Sequence, residues 1–566
     1  MKDILSYDEL KSLILDAGVI EDKDLELAEE RFRSEGGTFA QAILWYNLIS
    51  DEELGRLIAD FLKVPFVVLE QKAIPEAVLQ LVPEIFAKKK RVIPFALDEA
   101  GLHVAMANPK DLETRSFIEK KSGVPLKAYF VSERDLENAM SLYKQEASLA
   151  FEDLIVSDIK EADRKKSQET DPPIIRIVDT LIAYAYQNRA SDIHLEPREK
   201  DMLVRFRIDG VLHDIVKLPQ NLHPQIISRI KILAKLRTDE HQVPQDGKVE
   251  FPLEGREHLD VRVSIIPTTE GEKVVLRLLS DRSRSFSLTN LGFAFDTLEI
   301  VKAAYEKPYG MVLVTGPTGC GKTTTLYSIL KLLNRRQVNI VTIEDPVEYD
   351  MEGTNQIQVN TETNLTFATG LRSILRQDPN VILVGEIRDN ETAGIAINLA
   401  MTGHLVLSTL HTNNAATSIP RLIDMEIEPF LIASTTNVIV AERLVRKIHA
   451  LCRVSEEVES LEFCERVGQE MFEKVFGKAE AGKKIRLYHG KGCSTCHETG
   501  YEGRTGIFEA LVLNDAIREA IVGRKDASVI EAIAVKDGMR TMFEDGLRKV
   551  KEGQTTIDEI MRVTKE

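Results

Sequence analysis

One stretch constrains the fold before anything else is read: MVLVTGPTGCGKTTTLYSILKLLN, residues 311–334. MVLVT is an apolar run of strand length, and KTTTLYSILKLLN has the pattern of a helix. Between them lies G-x-x-x-x-G-K-T, from Gly316 to Thr323. Glycines in such a loop let backbone N–H groups close around an anion at the N-terminus of a helix. Gly316, Pro317, Thr318, Gly319, Cys320, Gly321, Lys322, Thr323 and Thr324 therefore form a candidate phosphate cradle. Lys322 is expected to reach the β- and γ-phosphates of a nucleotide, and Thr323 to bind Mg²⁺. Cys320 occupies a position that the pattern leaves free, and no redox role is assigned to it.

Splitting a phosphoanhydride also needs carboxylates, to hold Mg²⁺ and to orient water. Two apolar runs deliver them. VNIVTIEDPVEY, from Val338, leads into Glu344, Asp345 and Glu348; NVILVGEIRD, from Asn380, leads into Glu386. In the second run the position usually taken by aspartate is Gly385, and the acid comes one place later. TGHLVLSTLHTN, residues 402–413, sets His404 and His411 on either side of a further strand. For these histidines a γ-phosphate sensor and a packing role remain equally open.

With 566 residues the chain exceeds one core, and three or four domains are expected. Residues 1–145 read as α-rich, with two similar helical stretches, LKSLILDAGVIEDKDLELAEERF and FAQAILWYNLISDEELGRLIADFL. In the second, Ser50 and Glu53 make a capping-box pattern. Residues 146–171 are charged and end at Asp171, which precedes two prolines, as a linker would. Residues 172–285 mix helices and strands in an α+β order, and 286–445 alternate β and α like a doubly wound domain. Residues 446–566 read as mostly helical around a cysteine-containing insertion.

The formal net charge is −17, which disfavours a protein that tracks along nucleic acid. The longest apolar stretch, residues 394–410, is interrupted by Thr402, Gly403 and His404 and falls short of a span of about 20 residues. MKDILSYDELKSL lacks the basic-then-apolar order of a signal peptide. The expected location is cytoplasmic, and the five cysteines suit a reducing compartment.

The ensemble of motifs resembles the secretion ATPase superfamily, specifically the type II secretion and type IV pilus assembly ATPases. The resemblance runs along nearly the whole chain. It is carried by ASDIHLEP (190–197), RIDGVLHD (207–214), VPQDGKVEF (243–251), DVRVSIIPTTEGEKVVLRLL (260–279), GPTGCGKTTTLYS (316–328), TIEDPVEY (342–349), LRSILRQDPNVILVGEIRD (371–389), TGHLVLSTLHTN and GYEGRTGIFE (500–509). It implies an α/β fold: a RecA-like P-loop motor, preceded by a PAS-like α+β domain and an α-rich regulatory domain, with a helical C-terminal region. It implies a homohexamer that hydrolyses ATP between the PAS-like and motor domains and works on an inner-membrane platform protein, the chain being peripheral to that membrane. By the same resemblance Glu344 polarises water, Glu386 lies near Mg²⁺, and His404 and His411 form a histidine box. Arg262 and Arg277 in the PAS-like part, and Arg372 and Arg376 in the motor, match positions used around the phosphates. Arginines supplied across a moving joint would tie hydrolysis to domain rotation.

Two parts depart from the family pattern. Relatives often carry two C-x-x-C pairs that bind zinc; here Cys493 and Cys496 form the second pair, but Cys452 stands without a cysteine partner at the same spacing. Cys452, Cys493 and Cys496 are expected zinc ligands, with Cys464 or His497 as the fourth; the alternative is a packed loop that has lost its metal. The N-terminal region resembles a domain that in some relatives binds cyclic di-GMP through R-L-G-type motifs. At those places stand Glu9-Leu10-Lys11 and Thr38-Phe39-Ala40, which lack the arginine and the glycine, so weak or no binding is expected.

Within this family the pilus extension motor is preferred, with the type II secretion motor as the alternative. A nucleotide-binding scaffold that scarcely turns over is disfavoured by intact Lys322, Thr323, Glu344 and Glu386, and a DNA-translocating ATPase by the acidic balance.

Overall fold

The computed structural model describes residues 4–17, 19–20, 22–35, 38–46, 48–69, 72, 74–99, 101–140, 143, 172–253, 258–279 and 288–564. The expected linker, 146–171, lies outside the described residues.

The phosphate-loop strand, Gly310–Thr315, is buried from end to end at the heart of a seven-stranded sheet. Across the sheet the order is Asn355–Gln358, Ile340–Glu344, Val381–Val384, Leu405–Leu410, Gly310–Thr315, Thr436–Ile448 and Tyr501–Val512. The first six run parallel and the last is antiparallel. Continuous apolar runs such as VILV suit strands covered on both faces, as parallel strands must be. Alternation along one strand makes the point: Met311 and Leu313 enter the core that holds Ile343 and Ala396. Val312 and Val314 enter the opposite core, with Leu326, Tyr327 and Leu407. All six parallel strands point their carboxyl ends one way, and loops there gather into a ligand edge.

A second sheet of six strands precedes it, in the order Val211–Pro219, Asp201–Ile208, Asp192–Pro197, Gly271–Leu279, His258–Thr268, Gln245–Pro252. Every pairing in it is antiparallel. Helix Pro172–Gln187 covers one face with Ile174, Ile177, Val178, Leu181, Ile182 and Ala185, a run at helical spacing. Each of the larger of these side chains contributes about 1.5–3 kcal/mol when taken out of water. With that face spent on the core, alternation sends every second residue to the other. Leu259, Val261, Val263 and Ile265 point inward, while Arg262 points out and lies opposite Arg277 on the neighbouring strand.

The N-terminal part holds helices Tyr7–Ala17, Asp22–Glu35, Phe39–Trp45 and Asp51–Leu62, then a three-stranded sheet of Val92–Asp98, Gly101–Met106 and Leu126–Phe130. The Ser50 hydroxyl accepts from the Glu53 amide, and the Glu53 carboxylate accepts from the Ser50 amide, both at 3.1 Å. The C-terminal part ends in four helices between residues 515 and 564. It also contributes Tyr501–Val512 to the main sheet and a two-stranded ribbon, Arg453–Glu459 with Lys484–Gly490. Glycines and charges at 500–506 obscure the first of these strands in the sequence. No helix among the described residues is long and apolar enough to cross a membrane.

Candidate active site and metal centre

Gly316, Gly319 and Gly321 adopt φ of +149°, +80° and +111°, values that side-chain-bearing residues avoid. At Gly316 a Cβ would lie 2.6 Å from both the Cys320 sulfur and the Glu442 carbonyl, so glycine is required twice over. The loop turns directly into helix Lys322–Leu333, whose first N–H groups have no partner within the helix. Lys322 arches back and donates to the carbonyls of Gly316 and Pro317 at 2.8 and 2.9 Å, which sets its ammonium at the mouth of the loop. The loop opens on a cleft of about 1000 Å³ between the two large sheets, roomy enough for a nucleoside triphosphate.

Two acids face this cleft from neighbouring strands. Glu344 ends strand Ile340–Glu344 and is buried. Its carboxylate accepts from the Thr342 hydroxyl (2.6 Å), the Gln356 amide (3.3 Å) and the Tyr327 hydroxyl. Burial, and then the charge of Glu344, push the Tyr327 phenol above its ordinary value, so that it stays a donor. Glu386 is set between His411 Nε2 at 3.0 Å and the Arg388 guanidinium at 2.5 Å. Gly385 has a packing reason. A Cβ there would sit 3.2 Å from the Glu344 Cα, and a side chain would push the two acid-bearing strands apart.

Of the four arginines expected around the phosphates, Arg277 lines the cleft, steadied by Asp192 at 3.0 Å. Arg262 bridges the two sheets instead: it lies 3.0 Å from Glu348 and donates to the Val347 carbonyl at 2.7 Å. Arg372 and Arg376 are not in the cleft of their own chain. Arg372 pairs with Glu391 on an exposed helix face, and Arg376, in the turn after that helix, donates to the Arg372 carbonyl. His404 is also displaced. It precedes the strand that His411 follows, and bonds the Leu399 carbonyl at 3.0 Å. Six residues of strand separate the two histidines by ~20 Å, so His404 sits at the sheet edge away from the phosphates.

The cleft holds arginines that the sequence reading passed over: Arg207, Arg388, Arg443, Arg504 and Arg562. Arg207, Arg388 and Arg504 stand inside motifs already recognised, so they were within reach. Arg562 arrives only because the last helix folds back. Beneath the loop lies Glu442, also missed. It is buried, accepts from Thr325 at 2.6 Å and lies 3.8 Å from the Cys320 sulfur. Burial pushes its carboxyl up to about 7, against the pull of the Thr325 bond and of Lys322. Burial, then Glu442, push the Cys320 thiol up to about 12, which leaves it unreactive.

The cysteines converge with a residue the sequence reading overlooked. His449, Cys452, Cys493 and Cys496 bring their ligand atoms within 4.8 Å of one another. His449 Nδ1 is 3.5 Å from Cys452 and 3.4 Å from Cys493; Cys496 is 3.9 Å from Cys452 and 3.6 Å from Cys493. Tetrahedral zinc with such ligands has edges of roughly 3.5–3.8 Å. The other imidazole nitrogen, Nε2, faces the Glu502 carboxylate at 3.2 Å, as a ligating histidine requires. Burial would raise the Cys496 thiol, but the amides of Gly500 and Cys493 outweigh it and hold it below the ordinary value. The donor set thus fits zinc. The fourth member is His449, not Cys464 or His497: Cys464 packs on the main core, and His497 follows the cluster in a left-handed turn. The missing pair was H-x-x-C, reading backwards from Cys452.

Residues 167–562 match the family described as type II/IV secretion system protein, and residues 62–148 match the MshEN domain. Over 562 residues the chain is 37% identical to the type IV pilus assembly ATPase PilB of Myxococcus xanthus, covering 98% of each. Over 558 residues it is 40% identical to the type II secretion system protein E of Xanthomonas campestris pv. campestris, covering 96% of each. The solved structure of the Yersinia pseudotuberculosis ATPase DotB aligns with a TM-score of 0.51 at 20% identity, over 70% of this chain and 95% of that one. That likeness concerns the fold alone.

Proposed function

The chain belongs to the type II/IV secretion system protein family, and from that premise we propose that it is the ATPase that drives type IV pilus assembly. It is an ATP hydrolase, working on pilin-like subunits through an inner-membrane platform protein and as a homohexamer. The observation that carries the enzymatic reading is the convergence of Lys322, Glu344, Glu386 and Arg277 on one cleft. Near-full-length similarity to a pilus assembly ATPase supports the pilus. Similarity of the same extent to a type II secretion protein E favours the second reading, the secretion motor.

ATP enters with its phosphates against the N–H groups of the loop and helix, where Lys322 exchanges loop carbonyls for phosphate oxygens. Thr323 and Glu386 both line the cleft and offer hard oxygen donors; they would hold Mg²⁺, which neutralises charge on the β- and γ-phosphates. Glu344, fixed by three neutral donors, orients and polarises the attacking water. Arg277 reaches in from the other sheet, so its stabilisation of transition-state charge depends on how the two sheets are set. Arg262, through Glu348, ties that setting to the loop after Glu344. Arg372 and Arg376, exposed on the motor, are available only to a neighbouring subunit. His449, Cys452, Cys493 and Cys496 would hold Zn²⁺ as a structural cross-link.

Cyclic di-GMP is not a ligand in this proposal. Thr38 is occupied in capping helix Phe39–Trp45, and Glu9 in bonding the Ser6 amide. Tight saturable association in a titration would overturn this point. The function is tested by Lys322→Ala at the native locus, with surface pili counted and secreted proteins profiled. Loss of pili with secretion unchanged is expected; the converse would make the chain the secretion motor.

A further inference from the structure

The N-terminal helices rest on the metal module, and the contact is specific. Trp45, the one tryptophan in the chain, donates its indole N–H to the Glu552 carbonyl at 3.0 Å. Two guanidiniums lie 3.8 Å from its ring centre: Arg31 from its own domain and Arg453 from the module. Arg453 is buried, donates to the Gly553 carbonyl at 3.2 Å and also stands over Tyr488. Cation–π contacts of this kind gain strength when water is excluded. From the module side, Arg486 donates to the Tyr46 carbonyl at 3.3 Å.

The decisive contact is Arg134. Its guanidinium donates to the carbonyls of Leu451 and Arg453, the residues on either side of Cys452. Those carbonyls belong to the short turn Ala450–Cys452 and its exit, and the direction in which they point depends on how His449 and Cys452 are held. Metal ligation would clamp both residues. The same turn continues strand Thr436–Ile448, which carries Glu442 and Arg443 under the phosphate loop.

We propose that the metal module is the docking platform of the N-terminal domain, and that zinc at His449, Cys452, Cys493 and Cys496 is thermodynamically coupled to docking through Arg134 and the Arg453–Trp45 stack. This rests on the zinc reading given above. Coupling is reciprocal: zinc favours the docked domain by the factor by which docking raises zinc affinity. Loss of zinc loosens the Leu451–Arg453 turn, releases Arg134 and exposes Trp45.

Trp45 reports the state directly, because no other tryptophan contributes emission. The full chain is purified, its zinc content measured, and emission and acrylamide quenching are followed while zinc is removed by a chelator and restored. Emission is expected to move to longer wavelength with stronger quenching on removal, and to return on zinc addition, in a chain whose far-ultraviolet circular dichroism is unchanged. Arg134→Ala leaves all four ligands in place; it should undock Trp45 with zinc present and weaken zinc affinity about fivefold or more. A chain that neither carries nor takes up zinc overturns the metal reading and this proposal together. A chain that binds zinc with Trp45 emission indifferent to it, or an Arg134→Ala variant with unchanged zinc affinity, overturns the coupling alone.

Discussion

Glu344 and Glu386 end neighbouring strands in one cleft, yet their surroundings are opposite in kind. Glu344 is held by a hydroxyl, a phenol and an amide, none of which carries charge. Glu386 is held by an arginine and a histidine. Neutral donors orient a carboxylate without neutralising it, which suits Glu344 to the water-polarising role proposed for it. In the proposed function the Arg388 guanidinium gives up its hold when a stronger cation comes, and Glu386 would exchange it for hydrated Mg²⁺. In the proposed function two acids of one type thus divide the work by environment.

The largest expected effect is at Glu344. Glu344→Gln should lower turnover by about 10²–10⁴-fold while nucleotide binding holds; near-normal turnover would mean that the water is oriented by another group. Glu386→Gln should cost about 10²-fold and raise the Mg²⁺ concentration needed for half-maximal rate. An unchanged Mg²⁺ dependence in a magnesium titration would collapse the distinction between the two acids.

Glu442 supplies a third environment, buried and, among the described residues, without a cationic ion-pair partner. Its carboxyl is raised from the ordinary 4.5 to about 7, so the folded chain binds the proton more tightly than the unfolded one. Stability attached to this group is therefore full below about pH 4.5 and is lost as pH rises towards 7, on the order of 3 kcal/mol in all. Glu442→Gln, which cannot ionise, should melt close to the parent at acid pH and higher than it at pH 8. Parallel melting curves at both pH values would contradict this. The smallest effect is expected from Tyr327→Phe, which removes one donor to Glu344 and should slow turnover roughly tenfold, about 1.5 kcal/mol. A loss as large as that of Glu344→Gln would assign the phenol a part in the reaction itself.

The fold was legible wherever pattern and contact are local. The run MVLVTGPTGCGK announces a buried strand and a glycine turn because the residues that meet are consecutive. VILV and LVLSTL read as parallel strands because both faces are covered. The strand Tyr501–Val512 was hidden because its first residues, YEGRTG, are those of a turn, and only its pairing with Thr436–Ile448 makes them extended.

The site divides in the same way. Residue types alone marked Gly316–Thr324 as a candidate phosphate cradle, set acids at the ends of two strands, and placed thiols at a C-x-x-C spacing that favours a metal. These depend on a few adjacent peptide units. The tertiary structure decided which of two histidines in one motif reaches the cleft, because strand direction sets His411 at the carboxyl edge and His404 some seven residues away. It decided that Arg443, Arg504 and Arg562 share the cleft with Arg277, and that His449 completes the cysteine cluster. Such groupings join residues distant in the chain, and only the packing of sheets and helices brings them to one place.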